Sequence, residues 1–98
     1  MITSAAANEL SNKSIENNCE RISALIEREA SFGKRTVSII IANSGKTGDA
    51  LIYDVDYSLN ETAYTDILTT NGFTISAYPL TDGQVKLFGA GTNMDISW

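Results

Sequence analysis

The sequence predicts one α+β domain over residues 1–98: an antiparallel sheet of four to five strands with two helices, in the order α-β-β-α-β-β-β. Three observations predict it. The first third of the chain has helical periodicity without an internal glycine or proline. Two stretches rich in β-branched residues follow, separated by seven residues typical of turns. The last quarter alternates apolar and polar residues between glycine-containing turns.

The first helix is predicted over residues 4–32. Thr3 or Ser4 can cap its N terminus, and Gly33 is placed to end it. A lone cysteine within this pattern is expected to pack in the core as a small apolar residue. The apolar stripe steps by three or four residues, and it consists of Ile15, Cys19, Ile22, Ile26 and Ala30.

The start of this helix is less regular. Leu10 is out of phase with the stripe, so residues 11–14 either kink the helix or separate two helices, and the pattern leaves both open. The opening has neither the basic start nor the apolar run of a secretory signal. We therefore expect the chain to be made and kept in a reducing cytoplasm.

Residues 36–42 and 50–56 predict the first two strands, because β-branched and aromatic residues are frequent in them. The seven residues between them, 43–49, have turn chemistry, which favours an antiparallel hairpin. The side chains expected to share a face are Val37, Ile39 and Ile41 in the first strand and Leu51, Tyr53 and Val55 in the second.

The second helix is predicted over residues 58–73. Ser58 and Glu61 have the spacing of a capping box, and Asn71 with Gly72 can form a left-handed C-terminal cap. The pattern indicates a short helix with both ends marked.

The remaining chain is predicted to be β. Pro79 ends the first of these strands, and Asp82 with Gly83 signals a two-residue hairpin before the second. In the third strand Met94, Ile96 and Trp98 share a face. The predicted strands span residues 73–78, 85–88 and 94–98.

Charge is unevenly distributed. Residues 1–49 carry as many acidic as basic side chains, whereas residues 50–98 have Lys86 as their one basic residue and a net charge of −5. Nucleic-acid binding requires clustered Lys and Arg, so we expect no nucleic-acid partner. No window approaches the run of about 20 apolar residues that crosses a bilayer, so we expect no membrane partner.

Residues 45–47, Gly-Lys-Thr after an apolar run, resemble the end of a phosphate-binding loop. That motif requires a glycine at position 40, where Ile40 stands, and a helix immediately afterwards, where the pattern predicts a strand. Both requirements fail, so nucleotide hydrolysis is not expected.

No catalytic or metal site is predicted. The chain has no histidine, which removes the commonest general base and zinc ligand. Asp54 and Asp56 can hold a cation with Asp49 or Asn60, but the calcium-loop pattern lacks its required glycine and glutamate, so a solvated strand face is favoured. We expect a protein that is not an enzyme and that uses no cofactor.

Protein–protein contacts are the remaining class. Aromatic residues anchor interfaces, and a terminal strand at a sheet edge invites a partner. Trp98 is hard to bury on such a strand. The candidate interface residues are Trp98, Ile96, Met94 and Tyr78.

Three stretches of the chain resemble short proteins encoded by tailed bacteriophages, including phages of cyanobacteria. They are the opening "MITSAAANELSNKSIENNCERISALIEREASFGKRTVSI", the helix end "LTTNGFTISAY" and the final "DISW". The resemblance implies a virion component present in many copies on the head, neck or tail, in contact with other virion proteins or with itself. The alternative is a soluble phage-encoded binder or inhibitor of a host protein.

Overall fold

The computed structural model describes residues 1–43, 48 and 50–98. The strands form one sheet in the order β2-β1-β4-β3. The elements are α1 (Ser4–Ser31), β1 (Thr36–Ala42), β2 (Leu51–Tyr53), α2 (Tyr57–Thr70), β3 (Thr74–Pro79), α3 (Asp82–Phe88) and β4 (Gly91–Ser97). The α+β class is confirmed. The described residues form three helices and a mixed four-stranded sheet, so the predicted two helices, wholly antiparallel sheet and element order are wrong in detail.

Helix α1 is a single continuous helix, so residues 11–14 do not separate two helices. The hydroxyl of Thr3 accepts the backbone N–H of Ala6 at 3.1 Å, as an N-cap does. At the other end Gly33 has a φ of +84°, and the N–H of Lys34 donates to the carbonyl of Glu29 at 3.1 Å. Both predicted caps are confirmed.

The core lies between the helices and one face of the sheet. Helix α1 contacts β1 and β2, while α2 contacts β3 and α1. The predicted alternation in β1 is confirmed: its odd-numbered residues are buried and Ile40 is half-buried. The buried cluster comprises Ile22, Leu25, Ile26, Val37, Ile39, Ile41, Ile52, Tyr64, Leu68, Met94 and Ile96.

The predicted hairpin between the first two strands is wrong, because β1 and β2 run parallel. Ile40 donates its N–H to the carbonyl of Ala50 at 2.8 Å, and Asp54 donates to the carbonyl of Ala42 at 2.8 Å. This register places Ile52 beside Ile41 on the core face. Most of the predicted turn, residues 44–47 and 49, lies outside the described residues. Parallel pairing starts α2 at the end of the sheet where β1 finishes.

Helix α2 ends as predicted but begins differently. The N–H of Phe73 donates to the carbonyl of Leu68 at 3.1 Å, and Gly72 has a φ of +90°. The predicted capping box at Ser58 is absent from this described helix, whose N-cap is Asp56. The Asp56 side chain makes no capping bond, and the Asp56 backbone N–H donates to the preceding carboxylate of Asp54.

The segment predicted as a hairpin and a strand, residues 82–88, is helix α3. Thr81 and Gln84 form a reciprocal capping box: the Gln84 N–H donates to the Thr81 hydroxyl at 3.2 Å, and the Thr81 N–H donates to the Gln84 side chain at 2.9 Å. The spacing Thr-x-x-Gln therefore outweighs the hairpin preference of Asp82 with Gly83. Gly89 ends the helix with a φ of +76°.

Candidate functional site

A buried carboxylate, that of Asp54, lies where β2 meets the start of α2. Asp54 is 7% exposed. The hydroxyl of Tyr64 donates to its Oδ2 at 2.5 Å, and the side-chain amide of Asn60 donates to Oδ1 at 3.2 Å and to Oδ2 at 3.1 Å. The N–H of Asp56 completes the set at 2.9 Å. Two side chains and one backbone group thus satisfy the charge, as burial requires.

Asn18 extends this cluster to α1. Its side-chain amide donates to the hydroxyl of Tyr64 at 2.8 Å and to the carbonyl of Tyr53 at 3.2 Å. The cluster therefore joins α1, the end of β2 and α2 through hydrogen bonds. Such a satisfied network fixes how elements pack.

The chemistry of Tyr64 favours a structural role for this cluster. Burial raises the pKa of its hydroxyl well above the usual range, and the hydrogen bond to the Asp54 carboxylate raises it further. Tyr64 therefore stays protonated and keeps donating at neutral pH. Both carboxylate oxygens of Asp54 already accept hydrogen bonds from N–H and O–H groups of the chain.

The cation hypothesis required Asp54 and Asp56 on one strand face. The strand ends at Tyr53, Asp54 is buried and Asp56 is exposed, so that shared solvated face does not exist. Asp49 lies outside the described residues, as do Gly45, Lys46 and Thr47 of the phosphate-loop resemblance. Within the described part of the chain, no group of three His, Cys, Asp or Glu side chains can hold a metal ion.

The four predicted interface residues do not form one surface of the chain. Met94 and Ile96 are fully buried on the helix-covered face of the sheet. Trp98 is half-buried and packs edge-on against Phe73, with ring centroids 6.4 Å apart. Tyr78 is 44% exposed on the opposite face. The condition that their strand is a sheet edge is not met, because β4 lies between β1 and β3.

The second face of the sheet is polar and largely exposed. Asp95 of β4 is at its centre, between Ser38 of β1 and Ser76 of β3 in the strand register. The hydroxyl of Ser38 donates to Asp95 Oδ1 at 2.7 Å, and that of Tyr78 donates to the same oxygen at 3.3 Å. Helix α3 reaches this face through Gln84, whose amide exchanges hydrogen bonds with Asn93 at 3.2 and 3.0 Å.

Strand β3 forms one edge of the sheet. Its residues are exposed except for Ile75, which is half-buried. Residues 67–81, which include β3, contain no charged side chain.

The N-terminal half of α1 is the other exposed feature. Its buried residues all lie in the second half of the helix. Leu10 is 62% exposed and Ile2, before the helix, is 57% exposed. The first three turns of α1 therefore present side chains that the rest of the described chain does not cover.

Comparison with protein-family models, curated proteins and solved structures finds no match to the chain. In the described part of the chain, none of the helices combines the length and the apolar character needed to span a membrane.

Proposed function

We propose that this protein is a non-enzymatic accessory component of a tailed-bacteriophage particle, acting through protein–protein contacts in a multi-copy assembly on the head, neck or tail. In this proposal it is made in the cytoplasm of the bacterial host and becomes part of the virion. Its partners are other virion proteins or further copies of itself, without nucleic acid or membrane. The resemblance of its opening, its "LTTNGFTISAY" stretch and its final residues to short phage proteins supports this assignment.

The observation that carries the proposal is the exposed first half of α1. Residues 4–14 are exposed apart from Ala6, which is half-buried. Within the continuous helix Ser4–Ser31 this segment extends an existing helix, but its side chains bury almost no surface against the rest of the described chain. Contact with a partner would bury Leu10 and the alanines around it, and so stabilise the segment. An assembly supplies such a partner.

The Asp54 cluster supports the non-enzymatic part of the proposal. A catalytic carboxylate needs a substrate within hydrogen-bond reach. The oxygens of Asp54 are instead occupied by Tyr64, Asn60 and the Asp56 N–H. These hydrogen bonds connect α2 to the end of β2, so a role in holding these two elements together explains them.

The alternative is a soluble phage-encoded binder or inhibitor of a host protein. One observation favours it: residues 50–98 carry a net charge of −5, which suits a basic surface on a host target.

Mass spectrometry of purified particles of the encoding phage separates these functions. The proposal predicts the chain in stoichiometric amounts relative to known particle proteins. Its absence from washed particles, together with abundance in the infected lysate, would instead identify the soluble binder.

A further inference from the structure

The outer edge of β3 has backbone groups that no other described residue pairs with. In the antiparallel ladder between β1 and β4, Trp98 donates its N–H to the carbonyl of Arg35, and Asn43 donates to that of Ala90. Even-numbered residues of β4 therefore bond to β1, and odd-numbered residues bond to β3, because the two edges of a strand alternate. By the register of β3 with β4, Thr74, Ser76 and Tyr78 bond inward. The N–H and C=O groups of Ile75 and Ala77 point outward.

This edge lacks the usual protection against strand pairing. Natural edges carry charged side chains, proline, bulges or very short strands. β3 has no charge, and its register with β4 is continuous over six residues. Its proline, Pro79, is the last residue of the strand, so it ends a hydrogen-bond ladder along this edge but leaves Ile75 and Ala77 available for pairing. The opposite edge, β2, has only three residues.

We propose that a second copy of this chain pairs with β3 along this edge, antiparallel and about a two-fold axis that passes through Ser76. Ile75 of each copy then lies opposite Ala77 of the other, so that each outward N–H and C=O gains a partner. A shift of the register brings in either Pro79, which has no N–H, or Phe73, whose N–H is already bonded to Leu68. The four outward groups of each copy thus select one symmetric register.

The helix layer fits the same arrangement. Strands are about 4.8 Å apart and packed helices about 8–10 Å apart, so two helices cover four strands. Here α1 and α2 cover the four strands of one copy. A second copy across β3 continues both layers, with its α2 beside the first. Glu61 of α2 lines a depression of about 260 Å³ together with Ala77 and Pro79 of β3 and with Gly91 and Thr92 of β4, so this part of α2 lies beside the end of β3. Thr65 lies one turn further on, and its small side chain suits a close helix contact.

This inference deepens the proposed multi-copy function by naming one contact between copies. The edge pairing and the virion role can each be disproved without the other. A dimer that is absent from particles leaves the edge pairing intact and removes the virion role. A chain that is stoichiometric in particles but does not pair through β3 keeps the virion role and removes the edge pairing.

The first test is the substitution Ser76→Lys. At the two-fold axis the two introduced side chains would be directly opposed, which is unfavourable for like charges. Within one copy Ser76 is opposite Asp95, so a lysine there is well tolerated. Ser38→Lys is the matched control, because Ser38 flanks the same Asp95 from β1, away from the edge.

Analytical ultracentrifugation of the full chain over a range of concentrations is the measurement. We expect a concentration-dependent dimer for the wild-type chain and for Ser38→Lys. Ser76→Lys should weaken dimerisation by about tenfold or more, which corresponds to about 1.4 kcal/mol. A wild-type chain that stays monomeric at every concentration, or equal effects of the two lysines, would overturn the proposal. Circular dichroism is the check that both variants are folded.

The second test fixes the register by crosslinking. In a Cys19→Ala background, Ser76→Cys places two thiols opposite each other at the axis, at a Cα separation of about 4.5 Å that a disulfide can span. Thr74→Cys is the control, since Thr74 lies opposite Tyr78 of the second copy. Mild oxidation should yield a covalent dimer for Ser76→Cys and little for Thr74→Cys. Equal crosslinking of both, or none, would rule out this register. Loss of Ser76→Lys from particles despite a monomeric wild-type chain would assign the edge to another virion protein.

Discussion

Asp54 shows how one residue can determine the packing of three elements. Its carboxylate is buried, yet it receives hydrogen bonds from Tyr64, from Asn60 and from the Asp56 N–H. Asn18 of α1 in turn holds the Tyr64 hydroxyl. The sequence marked Asp54 as a candidate ligand on a solvated face. Its partners Asn60 and Tyr64 are close in sequence, but assigning residues 50–56 to a strand hid their contact with it. Asn18 joins the cluster through the Tyr64 hydroxyl and the Tyr53 carbonyl, which it reaches only after α1 packs.

We expect Tyr64→Phe to reduce the free energy of unfolding by about 1–3 kcal/mol, because a buried acceptor loses its donor. Urea denaturation measures this. Tyr78→Phe is the control: its hydroxyl bonds to Asp95 on the exposed face, so its removal should cost no more than about 0.5 kcal/mol. Equal losses in the two variants would contradict the structural role of the cluster.

The raised pKa of Tyr64 makes a pH prediction. The folded state holds this proton more tightly than the unfolded state, so the stabilisation is complete below the ordinary tyrosine pKa of about 10 and is lost as the pH rises through the folded value. We expect the unfolding free energy of the wild-type chain to fall above pH of about 10 more steeply than that of Tyr64→Phe. If the unfolding free energies of the two proteins changed with pH in parallel, the raised pKa of Tyr64 would be contradicted.

Gly91 is required by close approach of two strands. A Cβ atom there would lie 2.7 Å from the Cβ and 2.8 Å from the Cα of Ala42, and against the carbonyl oxygen of Ile41. Gly91→Ala should therefore destabilise the chain by about 1–3 kcal/mol in thermal or urea unfolding. Gly83→Ala in α3 is the control, because its Cβ meets nothing within 4 Å and alanine favours helix. A neutral Gly91→Ala would contradict the tight β1–β4 register.

At the scale of elements, both ends of α1, the C-terminal end of α2 and the alternation in β1 were predictable, since they depend on residues within a few positions. Thr3, Gly33 and Gly72 all act as predicted. The direction of β2 was not predictable, because it depends on long-range packing of Ile52 against the core. Helix α3 was missed because Asp82 with Gly83 fits both a hairpin and the first turn of a helix.

Helix α3 provides an element-scale prediction. It has no buried residue, so its stability depends on its caps more than on tertiary packing. We expect Thr81→Ala to destabilise it by about 1 kcal/mol, whereas Thr81→Ser keeps the hydroxyl and most of the stability. Hydrogen exchange at the amides of Val85 and Gly89, which bond within this helix, measures the effect. Unchanged exchange in Thr81→Ala would show that the capping box contributes nothing.

At the scale of the whole molecule, the described chain has a buried centre and two exposed regions that we propose as contact surfaces. The centre contains β4, with Met94 and Ile96, which the sequence had suggested as interface residues; their burial instead explains their apolar pattern. The proposed contact surfaces are the N-terminal half of α1 and the edge of β3. Neither region is distinguished by periodicity, since an exposed helix or edge differs from a covered one only through its neighbours.

Leu10→Glu tests the α1 region. Because Leu10 is exposed, the unfolding free energy should change by no more than about 0.5 kcal/mol. Incorporation into particles should fall, since the proposed partner would have to bury a charge. Quantitative mass spectrometry of particles gives the copy number, and Lys13→Glu is a control with a new charge on the same exposed stretch. Undiminished incorporation of Leu10→Glu would remove this region from the interface.

Hydrogen exchange resolved by residue along β3, at low and high protein concentration, tests the central claim most directly. At low concentration the amides of Ser76 and Tyr78 should be protected by β4, while those of Ile75 and Ala77 exchange rapidly. At high concentration, and in the assembly, Ile75 and Ala77 should become protected as well. An alternating pattern that persists at every concentration would contradict the use of this edge in self-assembly.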